Sequence, residues 1–297
     1  MSASSGLDVQ VAPPEAEPEG ALRRTLGWVF WLCIGWIVLI VLAALLAPWL
    51  PLKDPDQNFL IPRERPPYSP SGTHWFGTDQ DARDLFSRTI FGARISLVVG
   101  FVAIGFGMIV GGTLGIVSGY FRGWSDRIIT FCFTVLLSFP ALVLAILITT
   151  LSSRGLKTIA LTLGFLAIAP VGRLARATTI QYADREFVVA ARMIGAKHPR
   201  IIIRELLPNV LIPMGALALL GMAVAIVAEG GLAFLGLSVE KGPSWGKVIL
   251  NGSGTRDLEK APWMAFAPIL ILFLTVVALN FAGDKVRAHF DVKETAL

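Results

Sequence analysis

Six stretches of this 297-residue chain contain no Asp, Glu, Lys or Arg: 25–52, 95–121, 128–153, 158–172, 206–228 and 261–283. A bilayer's hydrocarbon core is ~30 Å thick and an α-helix rises ~1.5 Å per residue, so ~20 apolar residues cross it. Five of the six runs exceed that length, and the fourth is short by about one turn. With 54% hydrophobic and only 16% charged residues, the chain is excluded from the soluble globular enzymes. The expected fold is all-α: a polytopic membrane protein with six transmembrane helices.

The net charge of +5 needs no nucleic acid to explain it, because cytoplasmic loops of membrane proteins are enriched in Lys and Arg. Cys33 and Cys132 both fall inside apolar runs, away from any loop where a disulfide could form, and read as small packing residues. Residues 1–24, rich in Pro and Glu with few large apolar groups, read as a disordered cytoplasmic tail. The apolar run from Gly27 to Ala47 is too long for a signal-peptide core and marks an uncleaved first span. Residues 25–94 then comprise that span and an extracytoplasmic segment, 95–283 a five-helix core, and 284–297 a second cytoplasmic tail.

Charge sets the topology. The loop 173–208 carries Arg173, Arg176, Arg185, Arg192, Lys197, Arg200 and Arg204, which belong on the cytoplasmic side. With the N-terminus also inside, four spans must precede this loop, so the short run 158–172 has to cross, with Lys157 and Arg173 reaching the two interfaces. Loops 48–94, 152–157 and 230–262 then lie outside, and Trp75, Phe76, Trp245 and Trp263 are expected as anchors at the outer interface.

No catalytic or metal constellation is visible. The one Gly-Lys pair, Gly246-Lys247, is followed by Val248 rather than Ser or Thr, so no phosphate-binding loop of the P-loop type exists. His74, His198 and His289 lie in different segments. An ion-coupled secondary transporter would keep acids at mid-membrane; Glu229 comes nearest, and about 20 residues after Asn209 it reads as an interfacial carboxylate that helps close the outer end.

Gly107, Gly111, Gly115 and Gly119 form an i, i+4 stripe, which in lipid lets helix backbones approach closely. It reads as a static packing seam, or alternatively as a surface that slides during gating. Pro140, Pro170, Pro213 and Pro268 interrupt four of the spans and permit kinks. In the inside loop a helix is expected over 178–194, ended by Gly195, with a second short helix starting near Pro199 and ended by Pro208. Phe187, Ala191 and Gly195 share one face, flanked by Arg192, Arg200 and Arg204. Such a helix-turn-helix suits a groove on a cytoplasmic partner; the alternative is an amphipathic connector on anionic lipid.

Ala190-Ala191, Gly195 and Leu207-Pro208 match in spacing the "EAA" loop of bacterial ABC importer permeases, with Val189 in place of the usual Glu and Glu205 in place of the usual Ile. Trp75-Phe76-Gly77-Thr78-Asp79, Arg83-Asp84, Ser87-Arg88, Gly92 to Leu97, Phe234 to Leu237, Pro243 to Gly246, and Asn280 with Gly283-Asp284 narrow the likeness. Ala82 stands where a glycine is usual. Over residues 25–291 the chain resembles the C-type permease of dipeptide/oligopeptide importers and their nickel-transporting relatives.

The resemblance implies a type I ABC importer permease fold in the bacterial cytoplasmic membrane, with both termini cytoplasmic. It implies a non-catalytic subunit that passes peptides inward beside a homologous second permease, two ATP-binding modules and an extracytoplasmic peptide-binding protein. ATP and Mg would be bound by the ATPase subunits, and no cofactor by this chain. It makes Glu186, Phe187, Ala190, Ala191, Arg192, Gly195, Ala196, Arg200 and Pro208 the ATPase-coupling residues. Two readings from other classes stand beside it, an ion-coupled secondary transporter and a non-transporting membrane scaffold.

Overall fold

The computed structural model describes residues 27–62, 64–152 and 155–295. The expected tail 1–24 lies outside them. The chain forms α1 (Gly27–Leu46), α2 (Leu85–Phe121), α3 (Gly123–Ser138), α4 (Ala141–Leu151), α5 (Leu156–Ala183), α6 (Glu186–Met193), α7 (His198–Arg200), α8 (Leu207–Phe234), α9 (Trp245–Asn251), α10 (Thr255–Lys260) and α11 (Trp263–Thr295). Among the described residues, strand-like pairing is confined to two isolated bridges, Asn58 with Arg83 and Thr78 with Asp84.

Helix ends follow caps and ion pairs rather than the limits of the charge-free runs. Asp84 caps α2, accepting from the Ser87 amide at 2.9 Å, so the helix starts well before residue 95. Nor does the short fourth run end at Arg173: α5, 28 residues long in all, continues to Ala183, because Arg173 donates to Thr134 and Arg176 to Asp126 instead of seeking an interface. The expected tail 284–297 is likewise helical as far as Thr295, a continuation of α11.

Two elements differ in kind from expectation. The third run is not one continuous helix with a kink but two helices, bent by 85°. Phe139, held extended (φ −86°, ψ 134°) before Pro140, makes the break, since a residue preceding proline is driven out of the α region. At the other site, Pro208 ends no helix. It lies near the start of α8, which continues from α7 through one wide π turn, Ile201–Leu206. The π turn lets the Leu207 amide reach the Ile202 carbonyl and opens the helix where the proline ring would otherwise meet the preceding turn.

Among the described residues, five helices are long and apolar enough to cross a membrane, six if the bent pair is one span. Contacts decide for six. Gly107, Gly111, Gly115 and Gly119 of α2 lie against Ala167, Ile168, Gly172 and Arg176 of α5 in that order, so these two helices run parallel. The segment between them must therefore return through the full layer. Its Asp126 bonds Ser118, near the end of α2, while Ala145 clusters with Val99 and Ala103, about 28 Å back along the helix. α8 is antiparallel to α2, with Met214 against Gly112 and Met222 against Gly100, and α11 is antiparallel to α8, with Gly283 against Ala216 and Leu279 near Ala223.

The glycine stripe is the tightest seam. A Cβ on Gly107 would lie 2.7 Å from that of Ala167, and one on Gly119 would lie 2.8 Å from the Arg176 carbonyl oxygen. Because the stripe is covered by α5 of the same chain, its packing is internal. At one end of the layer the segments 48–84 and 235–262 pack together; Gln80 bonds Asp257, and the Trp263 ring lies over Gly77. Trp75 is exposed there, as an interface anchor would be. Trp245 is not: it is fully buried, and its indole donates to the Thr89 carbonyl at 2.9 Å.

Candidate coupling surface

At the opposite end, residues 184–206 form a compact cap. Asp184 leaves α geometry (φ −101°, ψ 3°), which breaks the expected helix 178–194 between α5 and α6. α6 then runs from Glu186 to Met193, with its acid in the first turn and Arg192 in the last, both favourable to the helix dipole. Gly195 has φ +80°, a left-handed conformation. Its amide donates to Arg192 O and that of Ala196 to Ala191 O, both at 3.0 Å, the paired bonds of a Schellman turn.

This turn doubles the chain back so that α6 covers the π turn. Val188 and Ala191 are buried with Tyr120, Tyr182, Ile201 and Leu206. Ala191 therefore faces the protein's own core and not, as the i, i+4 face suggested, a partner. The outward apolar face consists of Phe187, Val189, Met193 and Ile194, the last two more than 80% exposed. Glu186, Ala190, Arg192 and Gly195 are also exposed, and Ala196 is half-buried. Arg200 is exposed on α7; Pro208 lies beyond the π turn on α8. Against Gly195 there is open space, so the glycine serves its backbone conformation and not a close internal contact.

Polar pairs close this end of the layer and fix the cap to it. Asp126 accepts from Ser118, Thr130 and Arg176, joining the ends of α2, α3 and α5. Arg122, at a left-handed φ of 53° between α2 and α3, reaches Asp184 at 2.6 Å. Tyr120 and His198 share a hydrogen bond at 2.8 Å, and the Arg192 guanidinium lies 5.3 Å from the Tyr120 ring centre. Sequence reasoning left out Tyr120, Tyr182 and His198. The available signal was a Tyr120-Phe121 pair closing a charge-free run, which lipid contact explained equally well.

The far end holds a charged cleft of ≈820 Å³ between the two outer segments, lined by Asp56, Asp79, Arg83, Arg88, Glu240 and Lys247 among others. Arg88 is buried and donates to the Pro55 carbonyl at 2.8 Å. Lys247 donates to the carbonyls of Val239 and Glu240, and its partial burial, with Arg88 adding to the effect, holds its ammonium below the usual lysine range. Ala82, in the place of a usual glycine, has φ 59°, which explains why glycine suits that site. Glu229 is not at a surface: only 1% exposed, it accepts from Ser96 Oγ at 3.1 Å under α9, because α8 runs on past it to Phe234.

Residues 111–292 match the family described as "Binding-protein-dependent transport system inner membrane component". The chain is 38% identical over 225 residues to the dipeptide transport system permease protein DppC of Alkalihalophilus pseudofirmus, covering 75% of this chain and 73% of that one. It is 33% identical over 258 residues to the glutathione transport system permease protein GsiD of Pectobacterium atrosepticum, covering 86% and 84%. In fold it is similar to a chain of the inward-facing MetNI methionine ABC transporter, with a TM-score of 0.58 at 19% identity, covering 69% of this chain and 97% of that chain.

Proposed function

The chain belongs to the binding-protein-dependent transport system inner membrane components, and we propose that it is one permease subunit of a bacterial ATP-driven importer that carries short peptides into the cytoplasm. Its cap of residues 184–206 is the cytoplasmic docking element for an ATP-binding module, and both chain termini share that side. The observation that carries this reading is the outward face of α6: Phe187, Val189, Met193 and Ile194 stand exposed on a helix whose other face is already buried. Four apolar side chains held away from the spans by a fixed turn make a surface that gains by burial against a protein groove.

The remaining partners follow from the same reading. A homologous second permease completes the pathway, two ATP-binding modules supply hydrolysis, and an extracytoplasmic binding protein delivers cargo at the end that bears the charged cleft. Relatives named for dipeptide and glutathione transport support short peptides as the cargo class. The test is uptake of a labelled dipeptide by cells with and without this chain, competed by peptides of graded length, by glutathione and by free nickel. Uptake that needs the chain and ATP and is competed by short peptides supports the reading; uptake indifferent to the chain's removal overturns it.

A further inference from the structure

The cap is covalently continuous with α5 and α8, yet it also makes polar and aromatic contacts with a third helix. The Tyr120 hydroxyl bonds His198 Nδ1 at 2.8 Å, and the His198 ring stands edge-on to Tyr120 and against Phe121, with centres 5.6 and 5.7 Å apart. Arg192, on the other side of the Gly195 turn, sits over the same Tyr120 ring at 5.3 Å. Tyr120 is only 7% exposed and clusters with Val188, Ala191 and Ile201. One residue of α2 thus grips both arms of the cap.

α2 is well suited to carry displacement. It has 37 residues without a proline, about 55 Å of unbroken helix, against a hydrocarbon layer of ~30 Å. Its first turn enters the outer charged cleft through Arg88, and the Asp84 cap fixes it to the outer segment, where Asp84 also bonds His74 at 2.8 Å. The seam with α5 makes the two helices a single unit, so a force on Tyr120 is delivered to both.

We propose that Tyr120 is a positioning residue of the transport cycle, linking the ATPase-docking cap to the outer cleft through α2. This inference rests on the importer reading above. Without the Tyr120–His198 bond the cap is held to the end of α2 only by the ring contacts, apolar packing and the Arg122–Asp184 pair, so the link between ATP hydrolysis and the outer end weakens although docking survives.

The test uses the assembled importer in proteoliposomes with loaded binding protein and labelled dipeptide, reading basal hydrolysis, stimulated hydrolysis and uptake. Tyr120→Phe keeps the ring and removes the hydroxyl. It should leave ATPase retention and basal hydrolysis unchanged while stimulation and uptake fall roughly fivefold, the effect of about one hydrogen bond. In His198→Leu, and in the double variant Tyr120→Phe with His198→Leu, the ratio of stimulated to basal hydrolysis should fall to the level of Tyr120→Phe and no further, while in His198→Asn, whose side-chain amide can stand where Nδ1 does, that ratio should stay near wild type. Undiminished stimulation in Tyr120→Phe, an equal fall in basal and stimulated rates, or additive losses in the double variant overturn the inference and leave the importer reading standing. A wild-type complex without stimulated hydrolysis or uptake overturns that reading instead, and this inference with it.

Discussion

Arg176 of α5 donates to both carboxylate oxygens of Asp126 on α3, at 2.5 and 2.7 Å, and Ser118 of α2 donates to the same carboxylate. The forked geometry closes three helix ends at one point, and it keeps an arginine inside a helix that charge alone would have ended sooner. Asp126→Asn preserves volume but turns one acceptor into a donor facing the guanidinium. Because both side chains are partly exposed, the expected loss is discounted to about 1–2 kcal/mol. A lowered thermal midpoint of the detergent-solubilised chain checks this, and an unchanged midpoint would mean that the pair is idle.

The glycine seam predicts a sharper contrast within a single helix. A Cβ on Gly111 would meet the backbone of Ile168, its Cα at 3.0 Å, whereas one on Gly105 meets nothing within 4 Å. Gly111→Ala should separate α2 from α5 and cost about 1–3 kcal/mol or more, as overpacking against rigid backbone does. Gly105→Ala should be neutral or slightly stabilising through helix propensity. The yield of folded protein when this chain is expressed without partners distinguishes the two, since the seam is internal. Equal yields would show that the seam opens easily.

Spans and turns of the chain were legible in the sequence wherever a local cause acts alone. Charge-free runs announce apolar helices and Gly195 announces a left-handed helix end, while Pro140 announces a kink where the chain makes a full break. What could not be read depends on partners far along the chain. Arg176 stays helical because of Asp126, 50 residues earlier. Trp245 is buried because Thr89, 156 residues away, accepts its indole N–H. The face that α6 turns inward was misjudged for the same reason: small residues at i, i+4 mark a side of close packing, but only Tyr120 and Ile201 reveal that Ala191 packs at home. Pro208 is a local case of the same limit, since the π turn that admits it has no sequence signature of its own.

Sidedness follows from the alternating helix directions once one end is placed. Ser71, Thr255 and Met193 are all exposed, the first two at the cleft end and the last on α6. With Cys33 and Cys132 replaced by alanine, cysteines at Ser71 and Thr255 should react with an impermeant maleimide in intact cells. One at Met193 should react only after permeabilisation. Labelling of the Met193 position from outside would invert the topology and remove the docking assignment.

The last prediction separates backbone conformation from charge at the Schellman turn. Asn and Asp both tolerate left-handed φ better than other residues, so Gly195→Asn and Gly195→Asp impose a similar, small strain on the φ +80° position. Neither side chain meets an obstacle inside the chain, because nothing lies within 4 Å of the added Cβ. They differ in the carboxylate, which in Gly195→Asp stands beside the exposed Met193 and Ile194. If that face is buried on an ATP-binding module, the charge must be desolvated, and a few kcal/mol lost there weakens docking roughly ten- to a hundredfold, at about 1.4 kcal/mol per factor of ten. Both variants should insert normally, since the turn lies outside the layer. Co-purification of ATPase subunits should then be near normal for Gly195→Asn and strongly reduced for Gly195→Asp, with dipeptide uptake following the same order. Full retention and uptake in Gly195→Asp would mean that the outward face of α6 meets lipid headgroups or water rather than a protein groove.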